Sequence, residues 1–141
     1  MRPIGPILAA VLLVFCTGCA STPSHTFTEP AASAWQTKTG QLAYTDQQTS
    51  IIGEVVVRST RDGDFEMTFT KAGGITLLSL RQDAQFGRIE GVLARGGWSG
   101  PIAQAPPRAR GWLQLRDKIV HARRMATVRH DAGEQTFTLR F

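Results

Sequence analysis

The sequence predicts an α+β domain: a curved antiparallel sheet of about seven strands, an incomplete β-barrel, with one amphipathic helix packed on its concave face. Three observations carry this expectation. Short stretches rich in β-branched and aromatic residues recur between residues 40 and 93, separated by tight polar or glycine turns. A single stretch of helical period follows, in which Trp112, Leu115, Ile119 and Ala122 fall on one stripe. Two further alternating stretches then close the chain.

Taken in order, strands are expected over 40–46 and 50–59, joined by Gln47-Gln48-Thr49. The second is almost continuously apolar, and Gly53 inside it suggests a bulge. Arg61-Asp62-Gly63 is a hairpin turn. Residues 64–71 alternate, with Phe65, Met67 and Phe69 on one face and Glu66, Thr68 and Thr70 on the other. After Ala72-Gly73-Gly74, the stretch 75–80 carries apolar residues of both parities, including Leu78 and Leu80, so both its faces should be covered. A fifth strand is expected over 85–93. Residues 94–107, punctuated by glycine and proline, read as one long loop. Pro107 suits a first helical position, and a basic amphipathic helix is expected over 107–120. Strands over 125–130 and 134–141 meet at Asp131-Ala132-Gly133, the last with Phe137, Leu139 and Phe141 on one face.

The chain opens with Arg2 and an apolar run from Ile7 to Phe15, too short to cross a bilayer of roughly 30 Å as a mature helix. Cys16-Thr17-Gly18-Cys19 follows. Small residues directly before a cysteine resemble the bacterial lipoprotein box, with Cys16 in place of the usual leucine. That resemblance implies export, cleavage after residue 18 and acylation of Cys19, giving a membrane anchor through an N-terminal lipid. Ala20, rather than aspartate, follows the cysteine, which by resemblance to enterobacterial sorting signals implies the inner leaflet of the outer membrane. The expected organisation is a signal peptide over 1–18, a lipidated cysteine and flexible tether over 19–34, and one domain over 35–141. His25 lies in that tether and is expected to be inert.

Charge is uneven. Residues 20–94 carry six Lys or Arg against eight Asp or Glu, whereas 95–141 carry nine against three. For an exported chain this basic half points away from nucleic acid and toward anionic head groups, lipopolysaccharide or acidic protein surfaces. Arg108, Arg110, Arg116, Arg123 and Arg124 form the candidate partner face.

No catalytic constellation stands out. His25, His121 and His130 have no cysteine partner and no metal-ligand spacing. Gly97-Trp98-Ser99-Gly100 lacks the glycine spacing of a nucleophile elbow, and neither Gly73-Gly74 nor Gly96-Gly97 is followed by the Lys-Ser/Thr of a phosphate loop. A non-enzymatic protein without cofactor or metal is expected. What remains is binding. Phe65, Met67, Phe69, Leu78, Leu80, Trp112, Leu115, Ile119, Phe137 and Leu139 would line the concave side, either as a surface for acyl chains or as plain core.

The order of these parts resembles the LolA/LolB lipoprotein-carrier superfamily. The residues that carry the likeness are the lipobox, Trp35 at the entry, Gly63-Asp64-Phe65-Glu66-Met67-Thr68-Phe69 and the proline-led segment Pro106-Pro107-Arg108-Ala109-Arg110-Gly111-Trp112-Leu113. It implies an unclosed barrel that binds an acyl chain or lipoprotein cargo on its concave side. The chain is shorter than that family, and its early turns are tight where the receptor has a protruding loop. The alternative is an interaction lipoprotein with a filled core that docks an anionic envelope partner through its basic helix.

Overall fold

A computed structural model describes residues 24–122 and 126–141. Eight strands form one antiparallel sheet: β1 (Gln36–Thr45), β2 (Ser50–Ser59), β3 (Phe65–Lys71), β4 (Ile75–Gln82), β5 (Phe86–Glu90), β6 (Trp98–Pro101), β7 (Thr127–Ala132) and β8 (Gln135–Arg140). Their spatial order is β6-β5-β4-β3-β2-β1-β8-β7, so the sheet is open between β6 and β7. One helix, α1 (Pro107–His121), lies against the concave face. The fold is therefore α+β, a curved sheet with a single helix.

The strands run alternately between two rims. An upper rim carries the β1–β2 and β3–β4 turns, the β5–β6 connection and the β7–β8 turn. A lower rim carries the β2–β3 and β4–β5 turns and the end of β6. Helix α1 starts at the upper rim, where Pro107 and Arg108 sit beside Ala132–Gln135, and ends at the lower one, where Ile119 and Val120 meet Ser59 and Thr60.

Four details differ from the expectation, each for a local reason. Trp98–Pro101 is a strand inside the expected 94–107 loop; it pairs with β5 as an edge, the one place in a sheet where proline is tolerated. β5 stops at Glu90 because Gly91 turns the chain with φ at 114°, and a side chain there would strike the Leu77 carbonyl. Gly53 is not a bulge. Its pairing with Leu42 is regular, and a Cβ would instead collide with the Thr70 carbonyl and the Phe69 ring, so glycine here permits close packing of β2 on β3. The slip in register lies between Phe69 and Thr70: Phe69 faces Leu78 while Thr70 faces Thr76. Leu77 is the extra residue. That bulge buries Leu77 and Leu78 together and leaves Ile75 exposed, which explains apolar residues of both parities without a second covering layer.

The core is one cluster on the concave side. Leu42, Tyr44, Val55, Val57, Phe65, Met67, Phe69, Leu78 and Leu80 rise from the sheet and Phe137 and Leu139 from β8; α1 contributes Trp112, Leu113, Leu115 and Ile119. Gly111 lets the helix sit directly on the β7–β8 hairpin, since a Cβ there would lie 3.1 Å from both Ala132 Cβ and Phe137 Cε2.

The segment before β1 is not a free tether from residue 24 onward. It lies across the convex face of β2 to β5. The His25 ring stacks on Phe86 with centroids 4.1 Å apart, and its Nε2 is 2.7 Å from Asp83 Oδ2. Thr28 O accepts a bond from Arg81 Nη2 at 2.8 Å, and the Trp35 ring carries the Arg58 guanidinium at 4.4 Å and that of Arg81 at 5.0 Å. His25 is thus not inert: it packs on Phe86 and hydrogen-bonds with Asp83. Cys19, the signal segment, Arg123 and Arg124 lie outside the described residues.

Candidate functional site

The ten residues expected to line the concave side come together there, and they are packed against one another. Phe65, Phe69, Leu78, Leu115, Phe137 and Leu139 have no exposed surface, and Leu80, the most exposed of the ten, retains 3%. Trp112 is the keystone. Its indole stands edge-on to Phe137 at 4.8 Å, tilts against Tyr44 at 4.7 Å and approaches Phe69 at 6.3 Å, geometries that aromatic pairs favour. Tyr44 and Leu113 complete the cluster. Sequence reasoning passed over both: Tyr44 sits in a strand of mixed polarity, and Leu113 lies beside the helical stripe rather than on it.

Two clefts of the described surface open at opposite rims. The upper one, of about 400 Å³, lies over the start of α1 between Tyr44, Asp46, Arg95, Arg108 and Glu134. Its floor is a hydrogen-bonded chain. Tyr44 Oη donates to Asp46 Oδ2 at 2.7 Å and accepts from Gln135 Nε2 at 3.2 Å, and Gln135 Nε2 also donates to Arg108 O at 3.2 Å. Burial, reinforced by the bond to Asp46, pushes the Tyr44 hydroxyl up to about 12. Burial also raises the Asp46 carboxyl, but bonds from Tyr44 and from the Gln48 and Thr49 N–H groups outweigh it and hold Asp46 below the usual carboxylate range. Arg95 reaches Asp46 at 3.4 Å from a left-handed backbone, with φ at 47°. No sequence motif marks this cleft, because its residues come from four separate turns.

The lower cleft, of about 510 Å³, lies between β1, β2 and the end of α1 and is lined by Lys38, Arg61, Thr60 and Ile119 among others. Beside it, Arg110 and Arg116 border a further opening with Gln82, Ala84 and Asp117.

The expected basic face divides between the two rims. Arg108 Nη2 donates to Gly97 O at 3.4 Å on the upper rim. Arg110 donates to Ala105 O at 3.1 Å, and the Arg116 guanidinium lies against Gly63 on the lower rim. The course of α1 explains the division: Arg108 stands at its start on the upper rim, and Arg116, eight residues or about 12 Å further along, lies toward the lower one. Among the described residues no group of three His, Cys, Asp or Glu side chains converges, and no helix is long and apolar enough to cross a membrane. No protein-family model matches the chain, and no curated protein matches it.

Proposed function

We propose that the chain is a lipid-anchored, non-enzymatic envelope protein whose domain is a filled interaction module rather than an acyl-chain carrier. The observation that carries this reading is the packing around Trp112, where the side chains a carrier would present to a lipid are spent on one another. Arginines left at the rims are then the groups available to an anionic envelope partner. Export and anchoring through Cys19 rest on the order of charge, apolar run and small residues before that cysteine.

The test is native mass spectrometry of the exported Cys19→Ser protein, paired with uptake of a fluorescent fatty acid. The expected result is an apo mass and no uptake. A co-purifying lipid that disappears in a folded Phe65→Asp or Phe69→Asp variant would replace this proposal with the carrier reading. For the anchor, radiolabelled palmitate should enter the wild-type chain and not Cys19→Ala.

A further inference from the structure

We infer that residues 24–35 act as a folded strap that holds the lower rim of the sheet against the membrane in which Cys19 is anchored, so that the anionic partner of this domain is the bilayer surface itself. The inference rests on the anchor proposed above.

Distance is the first argument. A free tether over 19–34 would let the domain wander about 50 Å from its lipid. The strap removes most of that reach. Its described part begins at Ser24, beside the His25 contacts to Asp83 and Phe86 in the β4–β5 turn, which belongs to the lower rim. Only residues 20–23 separate it from Cys19, and those five peptide steps span at most about 17 Å. The lower rim is therefore the part of the sheet nearest the lipid.

The strap is tied at several independent points. Phe27 lies beneath two guanidinium groups, Arg81 at 5.4 Å and Arg88 at 5.6 Å. Arg81 is the hub: besides Thr28 O, Phe27 and Trp35, it pairs with Glu66 at 2.7 Å and Asp64 at 3.3 Å while only 14% of its side chain is exposed. A buried-edge arginine with both carboxylate and aromatic partners holds its geometry better than a solvated one. Asp64, a carboxylate of this rim that could repel a bilayer, is partly neutralised in the same way by Arg81, and Asp83 shares a hydrogen bond with His25.

Charge is the second argument. Lys38, Arg61, Arg110 and Arg116 occupy the lower rim, and none has a carboxylate within 4.0 Å among the described residues. Asp62 and Asp117 are the exposed acids between them and Glu29 is a third on the strap, so the rim keeps an excess of positive charge over these acids. Attraction between basic groups and an anionic surface fades beyond a Debye length, and the short link from Cys19 lets the rim come within that range.

The experiment uses the full lipidated chain in vesicles of phosphatidylethanolamine and phosphatidylglycerol that contain a head-group nitroxide lipid. A fluorophore is attached in turn at Asp62→Cys on the lower rim and Ala72→Cys on the upper rim, positions separated by the seven residues of β3, about 23 Å. The lower probe should be quenched severalfold more strongly than the upper. The difference should shrink in His25→Ala/Phe27→Ala, which frees the strap, and in Lys38→Glu/Arg61→Glu, which reverses two rim charges outside the buried core, the half-buried Lys38 also losing its place over the Phe141 ring. Equal quenching of the two probes in lipidated wild-type protein overturns the inference while leaving the anchor in place. A chain that takes up no palmitate and leaves the vesicles on washing removes the anchor, and the orientation falls with it.

Discussion

Replacing Gly111 by alanine tests the seating of α1 more sharply than any large deletion, because two effects of opposite sign compete. Alanine in a helix interior is favoured over glycine by about 1 kcal/mol. Against this, the new methyl would collide with Gln135 Oε1 and lie 3.1 Å from Ala132 Cβ and Phe137 Cε2. The Gln135 amide can swing away only by surrendering its bonds to Tyr44 Oη and Arg108 O, at about 1 kcal/mol each. The Ala132 and Phe137 contacts add an overpacking cost of about 1–3 kcal/mol. The balance is a loss of about 2–4 kcal/mol, read as a lower urea midpoint at constant slope, or as a fall in Tm of about 4 °C per kcal/mol for a domain of this size. Gln135→Ala should suppress part of the loss in a double-mutant cycle, since it removes the first obstacle. A Gly111→Ala protein as stable as wild type, or more so, would mean that helix propensity decides the outcome and that α1 does not rest on the β7–β8 hairpin; the filled-core argument would fail with it.

Three further outcomes are expected. Trp112→Ala should cost about 3–5 kcal/mol in chemical denaturation, the range for deleting a fully buried aromatic; a loss below about 1 kcal/mol would show that the concave face is not packed around this ring. The Tyr44 hydroxyl has a folded-state pKa raised to about 12 from 10.0, so the stability it lends is complete below pH 10 and lost as pH rises toward 12; that is about 2–3 kcal/mol, and Tyr44→Phe should flatten this part of the stability profile. His130 is held below its usual value of 6.5, chiefly by burial and then by Lys118, so its contribution is present above pH 6.5 and disappears as pH falls through the lowered value; in His130→Gln the acid limb should lose that component.

Alternation made the centre of the sheet legible. Phe65, Met67 and Phe69 show a period of two, and the structure turns all three inward. The bulge beside them could not be read the same way, because it is a property of how β3 pairs with β4 and appears in neither strand alone. β6 escaped notice for a different reason: Ser99, Gly100 and Pro101 have poor strand propensity, and an edge pairing with β5 supplies what local preference does not. The strap is the largest omission. Ser, Thr, Pro and Ala between 21 and 33 have no period, and what orders residues 24–33 is a set of stacking and polar contacts to distant residues, such as His25 with Asp83, 58 positions away. For the candidate sites the contrast is similar. Helical spacing located Trp112, Leu115 and Ile119, but it could not show that Arg108 and Arg116 end on opposite rims, since that depends on which way α1 crosses the sheet.

An open sheet leaves two rows of backbone donors and acceptors unpaired, and proteins confined to a surface meet one another at high local concentration. Both borders of this sheet carry features that discourage a neighbour from adding a strand. One border is β6, only four residues long, closed by Pro101 and interrupted by Gly100. The other is β7, whose outward Arg129 and Asp131 form an ion pair at 3.2 Å across the strand face. Brevity, proline and charge are the usual means by which a border strand is kept from templating another chain. On the lipid leaflet that the proposed anchor implies, such borders would keep crowded copies of this domain from merging into a continuous ribbon.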